Sequence, residues 1–210
     1  PVADGERPAW ERQRAELFAE ARQGAFFGTI TSEPGSGGDV ARTRAVARAA
    51  EGGHRLDGEK HFGSGLGVTS FMVTTAIPEG EAEPDWFLLD VRGVPWDGSR
   101  GLRLTAEWDG FGMIATQSHG ARFSDFPTMR IAWPGHRRQI SDATGAFIGC
   151  LFGAVAAGVV DAGLALARAQ RAQRPGAGAY ERVEHERAEL EGWLLSQALE
   201  GMLRAAAERP

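Results

Sequence analysis

The chain is nearly without lysine and cysteine. Of its 23 basic residues Lys60 alone is lysine, and the rest are arginine. Alanine and glycine are abundant, so the bias points to GC-rich coding and the number of arginines says little about function. The lone lysine says more, because nothing in that bias favours it. Cys150 is the single cysteine, which excludes an internal disulfide and a cysteine-based metal site. In its apolar run it reads as a small buried hydrophobe. Basic charge is also short: a net charge of -5 and a pI near 5.6 leave no basic surface for nucleic acid. His54, His61, His119, His136 and His185 are scattered without paired ligand spacing, so no metal centre is expected. The first residues lack the basic and apolar regions of a signal peptide. They also lack an initiator Met, so a piece of a longer protein is expected.

Several common site motifs are missing as well. A P-loop needs lysine directly after its last glycine, and Lys60 precedes the glycines. Gly63, Gly65 and Gly67 miss the dinucleotide-binding spacing, and no strand–helix–strand unit surrounds them. A nucleophile elbow at Ser64 would need glycine where Phe62 and Leu66 stand.

What is present is a change of period along the chain. Pro8–Gln23 predicts a short helix with Trp10, Leu17 and Phe18 on one face, ended by Gly24. From Phe26 the pattern becomes short strands. Residues 26–31 are followed by 40–49, where Arg42, Arg44, Val46 and Arg48 alternate with Ala41, Thr43, Ala45 and Ala47. Further strands are expected at 54–62, with a turn or bulge at Asp57-Gly58, and at 70–77, 85–91, 102–108 and 121–126. Such spacing argues for an antiparallel barrel or sandwich. After Pro134-Gly135 the pattern turns helical. Residues 143–160 carry no charge and are rich in Gly and Ala. That length invites a membrane-span reading, but large aliphatics are few and Asp142 and Asp161 close the run. A helix buried all round in a bundle is expected instead. Residues 180–207 predict a second long helix, with Tyr180, Val183, Leu190, Trp193 and Leu194 as its apolar stripe. The two should pack as an antiparallel hairpin, whose apolar faces need further helices or another subunit to cover them.

Two stretches carry the chemistry. In Ile30-Thr31-Ser32-Glu33-Pro34-Gly35-Ser36-Gly37-Gly38-Asp39, Pro34 and three glycines turn the chain sharply out of a strand, and glycine lets backbone N–H groups approach a ligand. In Leu56-Asp57-Gly58-Glu59-Lys60-His61-Phe62-Gly63-Ser64-Gly65-Leu66-Gly67, a strand again runs into a Gly/Ser loop. Thr31, Ser32 and Ser64 offer hydroxyls and Phe62 a ring face. That set suits a planar heterocycle with polar edges.

Together the two stretches resemble the acyl-CoA dehydrogenase flavoproteins. There, a Thr-Glu-Pro-x-x-Gly-Ser-Asp segment precedes an Asn-Gly-x-Lys-x-(Trp/Phe) segment by about one hairpin. Gly112-x-x-x-Thr116 and Phe123-x-Asp125 follow in family order. The resemblance implies an α+β fold, an antiparallel β barrel or sandwich followed by a long helical hairpin and truncated at both ends. Residues 1–24 would be the remnant helix of an N-terminal helical domain, 25–136 the flavin-binding barrel and 137–210 part of a C-terminal helical domain. It implies FAD lying against Thr29, Thr31, Ser32, Gly37, Gly38, Phe62 and Ser64. The implied reaction is α,β-dehydrogenation of an acyl-CoA thioester, with hydride passing to the flavin. A cytoplasmic homotetramer of fatty acid metabolism, handing electrons to an electron-transfer flavoprotein, completes that expectation. The family's base most often sits on later helices, so no catalytic residue is assigned.

The sequence departs from the family pattern at several points. Gly38 stands for serine, Phe62 for the common Trp, Ser64 for Thr and Ile114 for Arg. Arg174-Pro175-Gly176-Ala177-Gly178 replaces an Arg-x-x-Phe-Gly segment. The Phe-x-Ser-Gly variant also looks like flavin-dependent monooxygenases of the same fold. A diverged, non-catalytic assembly or binding module is the third reading.

Overall fold

The computed structural model describes residues 2–36, 39–174, 176 and 178–208. It divides into two compact units, Pro1–Arg137 and Arg138–Pro210. In the first, helix α1 (Arg7–Arg22) precedes seven strands: β1 (Phe27–Thr29), β2 (Val46–Ala50), β3 (Gly53–Gly63), β4 (Phe71–Pro78), β5 (Asp85–Asp90), β6 (Leu102–Ala106) and β7 (His119–Arg130).

The apolar run of β4 is explained by its neighbours. It pairs with β1 and β2 at its two ends and with β5 along most of its length, so both of its edges are covered. From β2 the sheet continues through β3, β7 and β5 back to β4, which closes it into a barrel; β6 adds to β7. The barrel is mixed where alternation suggested an antiparallel one, because β1 and β2 both run parallel to β4. Period-2 alternation reports faces, not the direction of a partner. Inside, Ile30, Leu56, Met72, Phe87, Leu89, Leu102, Phe123 and Phe126 are essentially inaccessible. The two buried threonines of β4 are satisfied: Thr74 donates to the Ile30 carbonyl at 2.5 Å, and Thr75 and Thr43 share a hydroxyl contact of 2.7 Å.

The stretch expected as one strand over residues 40–49 is two elements. Val40–Arg42 is a 3-10 turn capped by the Asp39 carboxylate, which accepts from the Ala41 N–H at 2.9 Å, and only Val46–Ala50 joins the sheet. The cap, a local side-chain bond, wins over the alternating pattern here. Its inward positions still hold, with Thr43, Ala45 and Ala47 buried. Gly58 lies where β3 passes Ala45 so closely that any Cβ would sit 2.5 Å from the alanine methyl. Helix α1 docks on the barrel through Gln13. Its amide donates to the Arg130 carbonyl at 2.9 Å and accepts from the Ala132 N–H at 2.8 Å.

The second unit is the expected hairpin of α2 (Arg137–Ala172, which starts at the unit boundary) and α3 (Ala179–Ala207). Its seam is small and heptad-spaced: Cys150, Ala157 and Leu164 are buried on α2, and Gly192 is buried on α3. A Cβ at Gly192 would come within 2.4 Å of Leu164, and one at Gly153 within 3.3 Å of Leu199. Arg168 bonds Glu189 across the pair at 2.6 Å. One expectation changes here. Helix α2 is not buried all round, since a two-helix hairpin covers only one stripe and Phe147, Leu151, Phe152, Val155 and Val159 are exposed. The α3 stripe of Tyr180, Val183, Leu190, Trp193 and Leu194 is exposed, as expected of a hairpin that cannot cover its own apolar faces. By length and composition α2 is also long and apolar enough to cross a membrane.

Candidate functional site

The site is built where the chain leaving β1 meets the end of β3. Two isolated bridges join them, Thr29 with Ser64 and Ser32 with His61, and the His61 N–H donates to the Ser32 carbonyl at 2.8 Å. Thr29, Thr31, Ser32, Phe62 and Ser64, all expected from sequence, are thereby brought to one edge of the barrel. Gly37 and Gly38 lie outside the described residues.

A buried ion pair locks this edge. Lys60 is completely inaccessible, and its Nζ donates to Glu33 Oε1 at 2.6 Å and to the Thr75 carbonyl at 2.7 Å. The Glu33 carboxylate also accepts the N–H groups of Arg44 at 2.8 Å and Ala45 at 3.1 Å. Burial by itself would raise the Glu33 pKa. The hydrogen bond and charge of Lys60, with the two amides, override it and hold the carboxyl below its usual range. Burial lowers the Lys60 pKa, and Glu33 opposes that shift. The pair ties the first motif to the second: Glu33 follows Ser32, and Lys60 precedes His61.

From Lys60 to Gly63 the pairing with β7 slips, so that His61 and Phe62 on β3 oppose only Gly120. This is a β-bulge, and Phe62 takes φ 55°, a left-handed conformation costly for a bulky residue. The bulge turns the Phe62 ring out of the barrel, where it is 60% exposed and meets Trp108 edge-on, with ring centroids 6.1 Å apart. Trp108 is itself tethered. Its indole N–H donates to the Met113 carbonyl at 2.8 Å, and its backbone N–H to His119 Nδ1 at 3.1 Å.

Ser64 ends a chain of hydroxyls. Thr116 donates to the Met113 carbonyl at 2.8 Å, Ser118 lies 2.8 Å from Thr116, and Ser64 lies 2.9 Å from Ser118. Because a carbonyl can only accept, the proton of Thr116 is committed. Ser118 therefore donates to Thr116, and Ser64 donates to Ser118. The Ser64 oxygen is left to present lone pairs outward, as an acceptor.

Sequence reasoning did not assign Glu33, Trp108 or Ser118 to the site. Lys60 stood out only as the lone lysine. Thr116 stood in a family motif without a role, and nothing local marked Ser118. Among the described residues, no three His, Cys, Asp or Glu side chains converge as a metal set.

Solved structures share this architecture. An acyl-CoA dehydrogenase from Geobacillus kaustophilus superposes with a TM-score of 0.74 at 13% identity, covering 100% of this chain and 58% of that one. FMN-bound TdsC from Paenibacillus sp. A11-2 gives 0.69 at 18%, covering 99% and 56%. PigA with FAD and proline gives 0.67 at 20%, covering 87% and 48%. The chain has the acyl-CoA dehydrogenase fold. It spans about half the length of the solved chains it matches. No family model matches the sequence, and no curated protein does.

Proposed function

We propose that the chain binds a flavin at the β1–β3 junction and forms the flavin-holding part of an oxidoreductase. The observation that carries this reading is the bulge at His61–Phe62. A strained backbone that delivers an aromatic ring to solvent, between hydroxyl-bearing strand ends, has no use in core packing. It has one in stacking a planar ligand. The residues fit such a group. Phe62 offers a ring face, Thr31 and Ser32 offer hydroxyls, and the Ser64 oxygen accepts an N–H of the kind a flavin ring edge carries. Flavin, when bound, supplies two-electron redox chemistry. The Glu33–Lys60 pair holds both strand ends in place without touching the ligand.

FAD is the cofactor of the first reading, and FMN is the competitor to test beside it, since PigA holds FAD and TdsC holds FMN. The substrate of that reading is an acyl-CoA thioester, dehydrogenated at its α and β carbons by a homotetramer that passes electrons to an electron-transfer flavoprotein. A second reading is flavin-dependent monooxygenation. The Phe62-x-Ser64 pair favours it over the Trp and Thr usual in dehydrogenases. The visible spectrum of the purified chain, taken after adding FAD or FMN and removing the excess, tests the cradle. Anaerobic addition of acyl-CoA then separates the reactions: bleaching supports dehydrogenation, and retained flavin that no acyl-CoA bleaches supports oxygenation. A folded chain that retains neither flavin contradicts both.

A further inference from the structure

A cavity in the first unit shares none of the residues of the flavin junction. It measures about 820 Å³ and is lined by the β5–β6 connection and the middle of β7, with Arg55, Arg92 and Arg100 among its walls. That volume suits a small organic ligand. Its cations are not equivalent. Arg92 is saturated: it bonds both oxygens of Asp90, at 3.0 and 2.6 Å, reaches Glu20 at 2.8 Å, and lies over the Phe71 ring. Arg55 and Arg100 are not. Arg55 makes one long bond to the Asp125 carbonyl at 3.4 Å, and Arg100 one to the Gly93 carbonyl at 3.5 Å. Both exceed ordinary N–H to O distances, and among the described residues neither guanidinium has a carboxylate partner.

The two carboxylates of the lining do not cancel this charge. Asp90 is held by Arg92. Asp125 turns to Arg48, 3.2 Å away, while its N–H donates to Asp57 at 3.0 Å. Asp125 sits in the two-residue bulge of β7 opposite Asp57, with φ 50°. The turn that faces it is shaped by glycine: a Cβ at Gly98 would lie 2.9 Å from the Arg103 guanidinium, and one at Gly101 2.6 Å from the Ser124 carbonyl. Val94 and Pro127 add apolar wall beside the cations.

From this arrangement we infer a second binding site, for a phosphomonoester, with Arg55 and Arg100 as the groups that grip the phosphate. Guanidinium forks match phosphate oxygens in a way a carbonyl partner does not. Val94 and Pro127 contact the organic part of the ligand. The inference does not depend on flavin binding.

Calorimetric titration of the full 210-residue chain with inorganic phosphate and with ribose 5-phosphate tests it. One saturable site is expected, weakened by added salt. Arg55→Ala and Arg100→Ala should each weaken binding by roughly tenfold or more, as loss of a charged hydrogen-bond donor does. Arg12→Ala, on α1, should not weaken it. Tighter binding of ribose 5-phosphate than of inorganic phosphate is expected, and equal or weaker binding would overturn the phosphomonoester assignment. Absence of saturable binding by either probe in the unmodified chain would overturn it, whatever the variants do. So would affinity unchanged in both arginine variants, or competition with flavin, which would place the phosphate in the cradle.

Discussion

The two units of the chain bury opposite things. In the barrel a core of large apolar side chains, Ile30, Leu56, Met72, Phe87, Phe123 and Phe126 among them, points inward, and even a lysine and a glutamate are enclosed with their partners supplied. In the hairpin the seam is made of Cys150, Ala157, Leu164 and Gly192, while Phe152, Val155, Tyr180 and Trp193 stand exposed. The barrel closes on itself through its strand pairings and encloses one large apolar core. The hairpin covers only its own narrow stripe, and the surface it leaves open is of the kind that marks an interaction face. Stability should therefore reside in the first unit, and mutational sensitivity should differ accordingly.

The largest test of that contrast is the buried pair. Glu33→Gln leaves the Lys60 ammonium enclosed without a counter-charge, and a loss of about 3–5 kcal/mol is expected, read as the midpoint of urea unfolding. Lys60→Met combined with Glu33→Gln should recover much of it, since no buried charge remains. Trp193→Ser, on the exposed face of α3, should shift stability by no more than about 0.5 kcal/mol. A large loss there would erase the contrast.

Next in size is Phe62→Ala, which should weaken flavin binding by roughly 1–3 kcal/mol through the lost aromatic contact. It should leave stability unchanged, because the ring is mostly exposed. Phe62→Gly relieves the left-handed backbone. It should stabilise the barrel by about 1 kcal/mol while weakening flavin binding equally, which would mark the strain as functional. Smaller still is Ser118→Ala. It frees the Ser64 proton and should cost roughly 0.5–1.5 kcal/mol in flavin affinity. Unchanged affinity would mean that the hydroxyl chain does not orient Ser64.

The contrast also has a pH side. The Glu33 pKa is lower in the folded chain than the 4.5 of an ordinary glutamate. A group depressed on folding contributes stability that is full above its unfolded pKa and is lost as pH falls through the folded one. Barrel stability should therefore hold at neutral pH and fall progressively below about pH 4.5. Glu33→Gln should flatten that part of the profile in a denaturation series.

Much of this was legible in the residues, for identifiable reasons. The order of the two loop motifs, most of the strand spacing and the two long helices are local properties and appear where their patterns placed them, except at residues 40–49, whose first part is a capped turn. The contact between Glu33 and Lys60 was not legible, because it depends on which strand the β1 extension meets. The bulge that exposes Phe62 was not legible either: one extra residue exists only relative to the register of β7. The residues of the α2–α3 seam escaped for a related reason. Periodicity identifies an apolar face but not which face the partner helix takes, and small Gly192 took the contact instead.

The most direct test of the flavin junction is an equilibrium titration of the intact chain with FAD and with FMN, followed by flavin absorbance and by tryptophan fluorescence. Trp108, whose ring lies 6.1 Å from that of Phe62, is the expected reporter. Saturable binding of one flavin per chain is expected, with a fluorescence change that disappears in Trp108→Phe and an affinity that falls in Phe62→Ala. A folded chain that binds flavin with the same affinity after Phe62→Ala, or does not bind it at all, would contradict the assignment of this junction as the cofactor site.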